Sequence, residues 1–117
     1  MKLNHINLGV TDVIAATTFL TQNFGLQLAA DMPQNEFMGF THDDNDALIS
    51  VFKAKDVVYP KIFHVGFLQD TTAQVNEMHT KLEAGGFTPG DPKEEFGRYV
   101  FYVNAPGGFV VEVSSVV

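Results

Sequence analysis

The stretch LNHINLGVTD, residues 3–12, alternates polar with apolar side chains and ends in two residues that commonly cap helices. Alternation with a period of two predicts a strand. Thr11 and Asp12 predict the start of a helix, since apolar residues follow them at helical spacing as far as Gly25. The stretch therefore predicts a strand followed directly by an amphipathic helix.

A second stretch, FHVGFLQD at residues 63–70, repeats the same order of features. Asp70 precedes another helical pattern, which stops at Gly85. His5 and His64 hold the same place in the two stretches, 59 residues apart. An internal repeat with a period near 60 residues predicts two similar structural modules.

Three further strands complete each module. Clusters of Pro, Gly, Asn and Asp separate the apolar runs and predict the turns between them. The predicted strands cover 2–10, 25–28, 37–41 and 47–53 in the first half, and 61–68, a short strand from residue 87, 98–103 and 109–116 in the second. Each half therefore has the order βαβββ, and we predict one domain made of two modules, residues 1–55 and 60–117.

Composition excludes several classes of function. The chain has 117 residues, 45% of them apolar, including eleven Phe, which is enough for a hydrophobic core. A net charge of −7 with no basic stripe argues against nucleic acid as a partner. With no cysteine, the chain has no disulfide, thiolate ligand or Cys nucleophile. No signal peptide and no run of roughly 20 apolar residues is present, so we predict a soluble, cytoplasmic protein without membrane partners.

Three polar residues fall within apolar strand patterns, namely His5, His64 and Glu112. Burying such groups is costly unless they are paired or bind a metal. Two imidazoles and one carboxylate suit a divalent first-row metal and leave positions free for water and substrate. Taken singly, each His is also compatible with a hydrogen-bonded core residue, and Glu112 with an ion pair. The repeat favours the metal, because symmetric pairing of the modules would bring the two histidines together.

The whole chain resembles the vicinal oxygen chelate superfamily, which includes glyoxalase I, extradiol dioxygenases, and fosfomycin- and bleomycin-resistance proteins. The resemblance lies in the two βαβββ modules, in the openings LNHINLGVTD and FHVGFLQD, and in the close APGGFVVEVSS. It implies an α+β fold in which the modules form a curved, mainly antiparallel eight-stranded sheet with the helices on its outer face. It also implies a homodimer, with cavities formed by modules of one chain or of two.

The resemblance places the metal ligands on His5, His64 and Glu112, because this family draws its ligands from the first and last strands of its modules. The implied cofactor is a divalent ion of Fe, Mn, Ni, Zn or Co. Glyoxalase I closes its first module with a further glutamate ligand, and the matching residue here is Ser50. A serine cannot supply a carboxylate base, which argues against a glyoxalase I reaction.

Four residues are predicted to contact a small-molecule substrate. Tyr102 alternates with Val100 and Arg98 on one strand face, and related metalloenzymes often place an aromatic hydroxyl near this position. Arg98 would serve an anionic substrate, or else form an ion pair with Glu94 or Glu95. Phe52 and Ser50 are the other two, and Phe52 is equally typical of a core residue.

Two functions follow. One is a metal-dependent enzyme with lyase or dioxygenase-like chemistry, in which the ion chelates adjacent oxygen atoms of a small substrate. The other is a metal-free protein of the bleomycin-resistance type, which sequesters a small molecule in an acidic, aromatic cleft. No catalytic acid or base is predicted from the sequence.

Overall fold

A computed structural model describes all 117 residues and confirms the α+β class with two βαβββ modules. The first module contains β1 (His5–Val10), α1 (Val13–Asn23), β2 (Gln27–Leu28), β3 (Met38–His42) and β4 (Leu48–Lys53). The second contains β5 (Val65–Leu68), α2 (Thr72–Ala84), β6 (Lys93–Glu95), β7 (Arg98–Ala105) and β8 (Phe109–Val116). Neither helix has the length and apolar character needed to cross a membrane.

The strands form two four-stranded sheets with the same internal order. The orders are β1-β4-β3-β2 and β5-β8-β7-β6, with one parallel pair and two antiparallel pairs in each. Hydrogen bonds therefore divide the eight strands into two sheets, where the sequence predicts one. The chain also divides into two compact units. Unit 1 is Met1–Tyr59 with Pro106–Gly108, and unit 2 is Pro60–Ala105 with Phe109–Val117.

Side-chain caps begin both helices. The Asp12 carboxylate accepts a hydrogen bond from the Ala15 N–H at 3.0 Å, as the sequence predicts. The second helix is capped by Thr71 rather than by Asp70, because Thr71 and Gln74 form a reciprocal capping box. Each helix packs on the inner strands of its own sheet, and most of the buried apolar residues of each unit lie between helix and sheet.

Two predicted strands of the second module are displaced. The segment 61–64 is a turn, in which the Phe63 N–H bonds to the Pro60 carbonyl, so β5 starts at Val65. His64 therefore precedes the strand instead of lying in its middle. The short strand predicted from Phe87 is absent, since the Phe87 N–H is taken by the Leu82 carbonyl at the end of α2. Its place in the sheet is taken by β6, which forms a hairpin with β7.

The strand register shows that the two modules are equivalent at their central residues. Asn7 faces Ser50 across the parallel pair β1–β4, and Gly66 faces Glu112 across the parallel pair β5–β8. Ser50 and Glu112 therefore hold matching places in the two sheets, as the sequence pattern suggests. The sheet faces opposite the helices carry these residues, because side chains alternate between the two faces of a strand.

Candidate functional site

His64 and Glu112 form a close pair on the face of the second sheet opposite α2. The Nε2 atom of His64 lies 3.1 Å from Oε2 of Glu112, with 37% and 19% of the two side chains exposed. The other ring nitrogen, Nδ1, lies 3.0 Å from the Ile62 carbonyl oxygen and so donates its hydrogen to it. Nε2 then faces the carboxylate with a lone pair, and a cation must lie between them: either a second proton or a metal ion.

The absence of a side chain at residue 66 leaves room for this pair. A Cβ built on Gly66 would lie 3.6 Å from Oε1 of Glu112, in ordinary van der Waals contact with the carboxylate. Larger side chains at this position would compete for the space in front of Oε1. Gly66 is the strand partner of Glu112 and leaves the space in front of Oε1 open.

Tyr102 borders the pair on the neighbouring strand. It faces Glu112 across the antiparallel pair β7–β8, and its ring meets the His64 ring edge to face, with 5.5 Å between centroids. Its hydroxyl donates a hydrogen bond of 3.0 Å to Oε1 of Glu95. Burial, the Glu95 hydrogen bond and the negative charge of Glu112 raise the pKa of Tyr102 to about 12, so its hydroxyl stays protonated at neutral pH and donates a hydrogen bond.

Arg98 carries a charge that no other side chain neutralises. It faces Glu95 across the β6–β7 pair, yet the Glu95 carboxylate turns to the Tyr102 hydroxyl and to Nζ of Lys93, 3.6 Å away. The Arg98 side chain makes no hydrogen bond or ion pair in the structure. The ion pair with Glu94 or Glu95 that the sequence left open is therefore not formed.

A pocket of about 180 Å³ lies beside Glu112, Tyr102 and Arg98 in unit 2. Its lining consists of Glu95, Phe96, Arg98, Val100, Tyr102 and Glu112. Carboxylates, a phenol and a guanidinium thus meet around one small volume. Glu95 and Phe96 were not predicted from the sequence, because β6 was not predicted and nothing else placed these two residues near Glu112.

His5 begins β1 in unit 1 and is exposed. Its Nδ1 lies 2.9 Å from Oδ1 of Asn4, which leaves Nε2 free to bind a ligand, as in His64. Ser50, in contrast, is buried and hydrogen-bonded to the side chain of Asn7. Unit 1 therefore holds a neutral amide–hydroxyl pair where unit 2 holds a carboxylate.

Phe52 lies on the same face of the first sheet as Ser50, two residues further along β4, and is partly exposed. Its ring meets that of Phe40 edge to face at 5.7 Å. The pair forms an aromatic surface that α1 does not cover, since α1 packs on the opposite face.

Two of the three predicted metal ligands, His64 and Glu112, are in contact. The structure contains no group of three or more His, Asp or Glu side chains placed to hold a metal ion. The chemistry of the pair nevertheless fits one. Adjacent ligands of a single ion lie about 3 Å apart when each bond is about 2.1 Å long, which matches the observed 3.1 Å.

The other two histidines lie outside this site. His42 in β3 bonds through Nδ1 to the Asp43 carbonyl. The sequence pattern suggests a solvated His79, but only 13% of its side chain is exposed, its ring packs edge-on against Phe101 and its Nδ1 pairs with Glu83 at 3.3 Å. The helical pattern misplaced His79 because α2 packs on the sheet over a wider face than its few large apolar residues indicate.

Known proteins resemble this chain over nearly its full length. The model of the Glyoxalase/Bleomycin resistance protein/Dioxygenase superfamily matches residues 2–113. The structure of a possible glyoxalase from Bacillus cereus is 40% identical, with 97% of each chain covered and a TM-score of 0.88. No functionally curated protein matches the chain significantly. The chain belongs to the glyoxalase, bleomycin-resistance and dioxygenase superfamily.

More distant structures share the fold alone. Lactoylglutathione lyase from Agrobacterium tumefaciens is 23% identical, with 97% of this chain and 92% of that chain covered and a TM-score of 0.76. Fosfomycin resistance protein FosX from Mesorhizobium loti is 15% identical, with 99% and 92% covered and a TM-score of 0.78. Since these two proteins have different named functions on one fold, the fold does not select the reaction.

Proposed function

We propose that this protein is an enzyme that binds a divalent first-row metal ion through His64, Glu112 and His5 and acts on a small oxygenated substrate. The observation that carries the proposal is the contact between Nε2 of His64 and Oε2 of Glu112, with the proton of His64 placed on Nδ1. A metal of the set Fe, Mn, Ni, Zn and Co accepts two imidazoles and a carboxylate. When bound, such an ion supplies Lewis-acid chemistry at adjacent substrate oxygen atoms.

The residues of the pocket act on the substrate in this proposal. Tyr102 stays protonated at neutral pH and donates a hydrogen bond to a substrate oxygen. Arg98, which has no partner in the structure, binds an anionic group of the substrate. Phe52 contacts an apolar part of the substrate. Ser50 acts indirectly, because its buried hydroxyl holds the Asn7 side chain in place.

A homodimer is part of the proposal. One edge of each sheet is formed by β1 or β5, and exposed sheet edges favour pairing with another chain. Leu3 and Ile62 lie just before these two strands, and both are strongly exposed. Association of two copies would cover this apolar surface.

Metal analysis tests the proposal. Protein purified without chelators should contain a divalent metal, and His5→Ala, His64→Ala and Glu112→Gln should each lose most of it. His79→Gln, which changes a histidine packed against Phe101, should retain the metal if the protein remains folded. Retention of the metal by both His5→Ala and His64→Ala would refute the ligand assignment.

Mixed dimers decide which copy supplies His5. If the ligands come from two chains, a dimer of one His5→Ala chain and one Glu112→Gln chain keeps one intact site and binds half the normal metal. If they come from one chain, every site in that dimer carries a defect and metal binding is lost.

A metal-free binding protein is the second candidate. It is favoured by one observation: with a proton on Nε2, His64 and Glu112 already satisfy each other at 3.1 Å beside an open pocket. Protein that contains no metal, and takes up none when Zn²⁺ or Mn²⁺ is added, would favour this function over the enzyme.

A further inference from the structure

The turn between β6 and β7 holds an aromatic residue in an unfavourable backbone conformation. Glu95 and Arg98 pair across the hairpin, so Phe96 and Gly97 form a two-residue loop, with φ of 51° and 74°. Loops with positive φ at both positions favour Asn-Gly or Gly-Gly. A bulky residue with positive φ is strained, because its Cβ crowds the backbone. Asn in place of Phe96 would form this turn at lower free-energy cost.

Packing within the fold does not compensate for this strain. The Phe96 residue is 98% exposed, and its ring stacks on no other ring and lies under no cation. The other phenylalanines with a large exposed area, Phe37 and Phe52, do not have a positive φ. An exposed aromatic residue that strains its turn contributes nothing to the stability of the fold.

The position of Phe96 at the pocket supplies a reason for it. Phe96 lines the same pocket as Arg98, Tyr102 and Glu112, and it is the only aromatic lining residue without a polar group. Phe96 precedes Arg98 at the turn, whereas Glu112 faces Tyr102 four residues further along β7, so Phe96 and the proposed metal ligand Glu112 lie at opposite ends of the pocket lining. A substrate that reaches Glu112 through its oxygen atoms therefore presents its remaining part towards Phe96.

We infer that Phe96 is a specificity residue, whose ring stacks on a planar, apolar part of the substrate at the mouth of the pocket. The inference rests on the proposed function and narrows the substrate to molecules that join a pair of adjacent oxygen atoms to an aromatic or other flat apolar group. Because Phe96 sits on a hairpin loop, its ring reaches the ligand without disturbing the sheet that holds His64 and Glu112.

Two chelating probes test the inference. 4-Nitrocatechol has adjacent oxygen atoms on an aromatic ring, and acetohydroxamate has adjacent oxygen atoms without a ring. Both are titrated into Zn²⁺-loaded and metal-free protein by NMR, for the natural chain, Phe96→Asn and Phe96→Tyr. Phe96→Asn should weaken nitrocatechol binding about three- to tenfold and leave acetohydroxamate unchanged. Phe96→Tyr keeps the ring and should bind both probes normally.

Thermal unfolding provides the second readout. Relief of the strained turn should raise the melting temperature of Phe96→Asn, which separates lost binding from damaged folding. Equal nitrocatechol affinity in the natural chain and Phe96→Asn, in either metal state, would overturn the inference. So would dissociation of a dimer by Phe96→Asn, which would assign the ring to contact with a second copy. Failure to take up Zn²⁺ would refute the proposed function alone, because the metal-free titration still compares the variants.

Discussion

Replacing Glu112 by Gln should separate the metal site from the fold. The substitution keeps the shape of the side chain and removes its charge. In the metal-free protein its amide can donate to Nε2 of His64, so the contact survives. The pair is partly exposed, and pairs of this kind stabilise by about 1 kcal/mol or less. For 117 residues, 1 kcal/mol corresponds to about 4 °C in melting temperature, so metal-free Glu112→Gln should melt within about 4 °C of the natural chain.

Added metal should raise the melting temperature of the natural chain much more than that of Glu112→Gln. A ligand present at 100 times its Kd stabilises the folded state by about 2.7 kcal/mol, which raises the melting temperature of the natural chain by about 11 °C. Loss of a residue that hydrogen-bonds to a metal ligand commonly costs 10- to 100-fold in metal affinity, and loss of the charge on a direct ligand should cost at least about 100-fold. The same metal concentration then stabilises Glu112→Gln by only about 0.4 kcal/mol, or less than about 2 °C.

Differential scanning fluorimetry with and without Zn²⁺ or Mn²⁺ measures both effects. Glu83→Gln is the matched control, because Glu83 also pairs with a histidine, His79, at 3.3 Å on the surface of α2. Its metal-induced shift should equal that of the natural chain. Equal shifts in the natural chain and in Glu112→Gln would show that Glu112 is not a metal ligand. A large loss of stability in metal-free Glu112→Gln would show that the carboxylate serves the fold instead.

Tyr102 should ionise only near pH 12 in a tyrosinate absorbance titration of metal-free protein, since its pKa is raised from 10.0 to about 12. Its contribution to the stability of the fold is full below pH 10 and is lost as the pH rises through about 12. Glu95→Gln should lower that pKa, whereas ionisation of Tyr102 near pH 10 in the natural chain would contradict the assigned contacts. Gly39→Ala should destabilise the protein to urea by about 1 to 3 kcal/mol, because the new Cβ would lie 2.6 Å from Cγ2 of Thr17. Adding Thr17→Ser removes that methyl group and should restore most of the stability, and an unaltered Gly39→Ala midpoint would show that α1 can shift. Sedimentation at micromolar concentration should give the mass of a homodimer, and a monomeric mass would exclude shared sites.

The sequence predicted the fold where local chemistry and pattern agree. The βαβββ repeat, the Asp12 cap and the match between Ser50 and Glu112 are all present, because alternation, capping and turn residues act over a few neighbours. The strand β6 was missed, since Lys-Glu-Glu has no strand-like pattern and pairs only because the Phe96–Gly97 turn brings it back onto β7. Pairing of this kind depends on tertiary contacts that no short window of sequence contains.

The sequence pointed to the contact between His64 and Glu112, and the assignment of these residues to a metal site stays a prediction. Apolar neighbours marked His64 and Glu112 as residues that need a partner, and the structure brings the two together. The hydrogen bond from Tyr102 to Glu95, and the unpaired charge on Arg98, depend on which way the Glu95 side chain turns. Tyr102, Lys93 and Arg98 all lie near Glu95, and which of them the carboxylate contacts depends on the folded structure and not on sequence spacing.

The matching registers of the two sheets give this protein a built-in reference for spectroscopy. Asn7 and Ser50 occupy in one sheet the places that Gly66 and Glu112 occupy in the other. The first unit therefore has the same strand arrangement without the central carboxylate, and it is present in every sample at the same concentration as the second unit. Because His5 and Phe52 belong to β1 and β4 and are proposed to contact the metal and the substrate, the reference signals are those of α1, which packs on the other face of that sheet and reports solvent, salt and temperature effects during a titration. Any displacement confined to β5 and β8 is then attributable to the ligand, without a second sample.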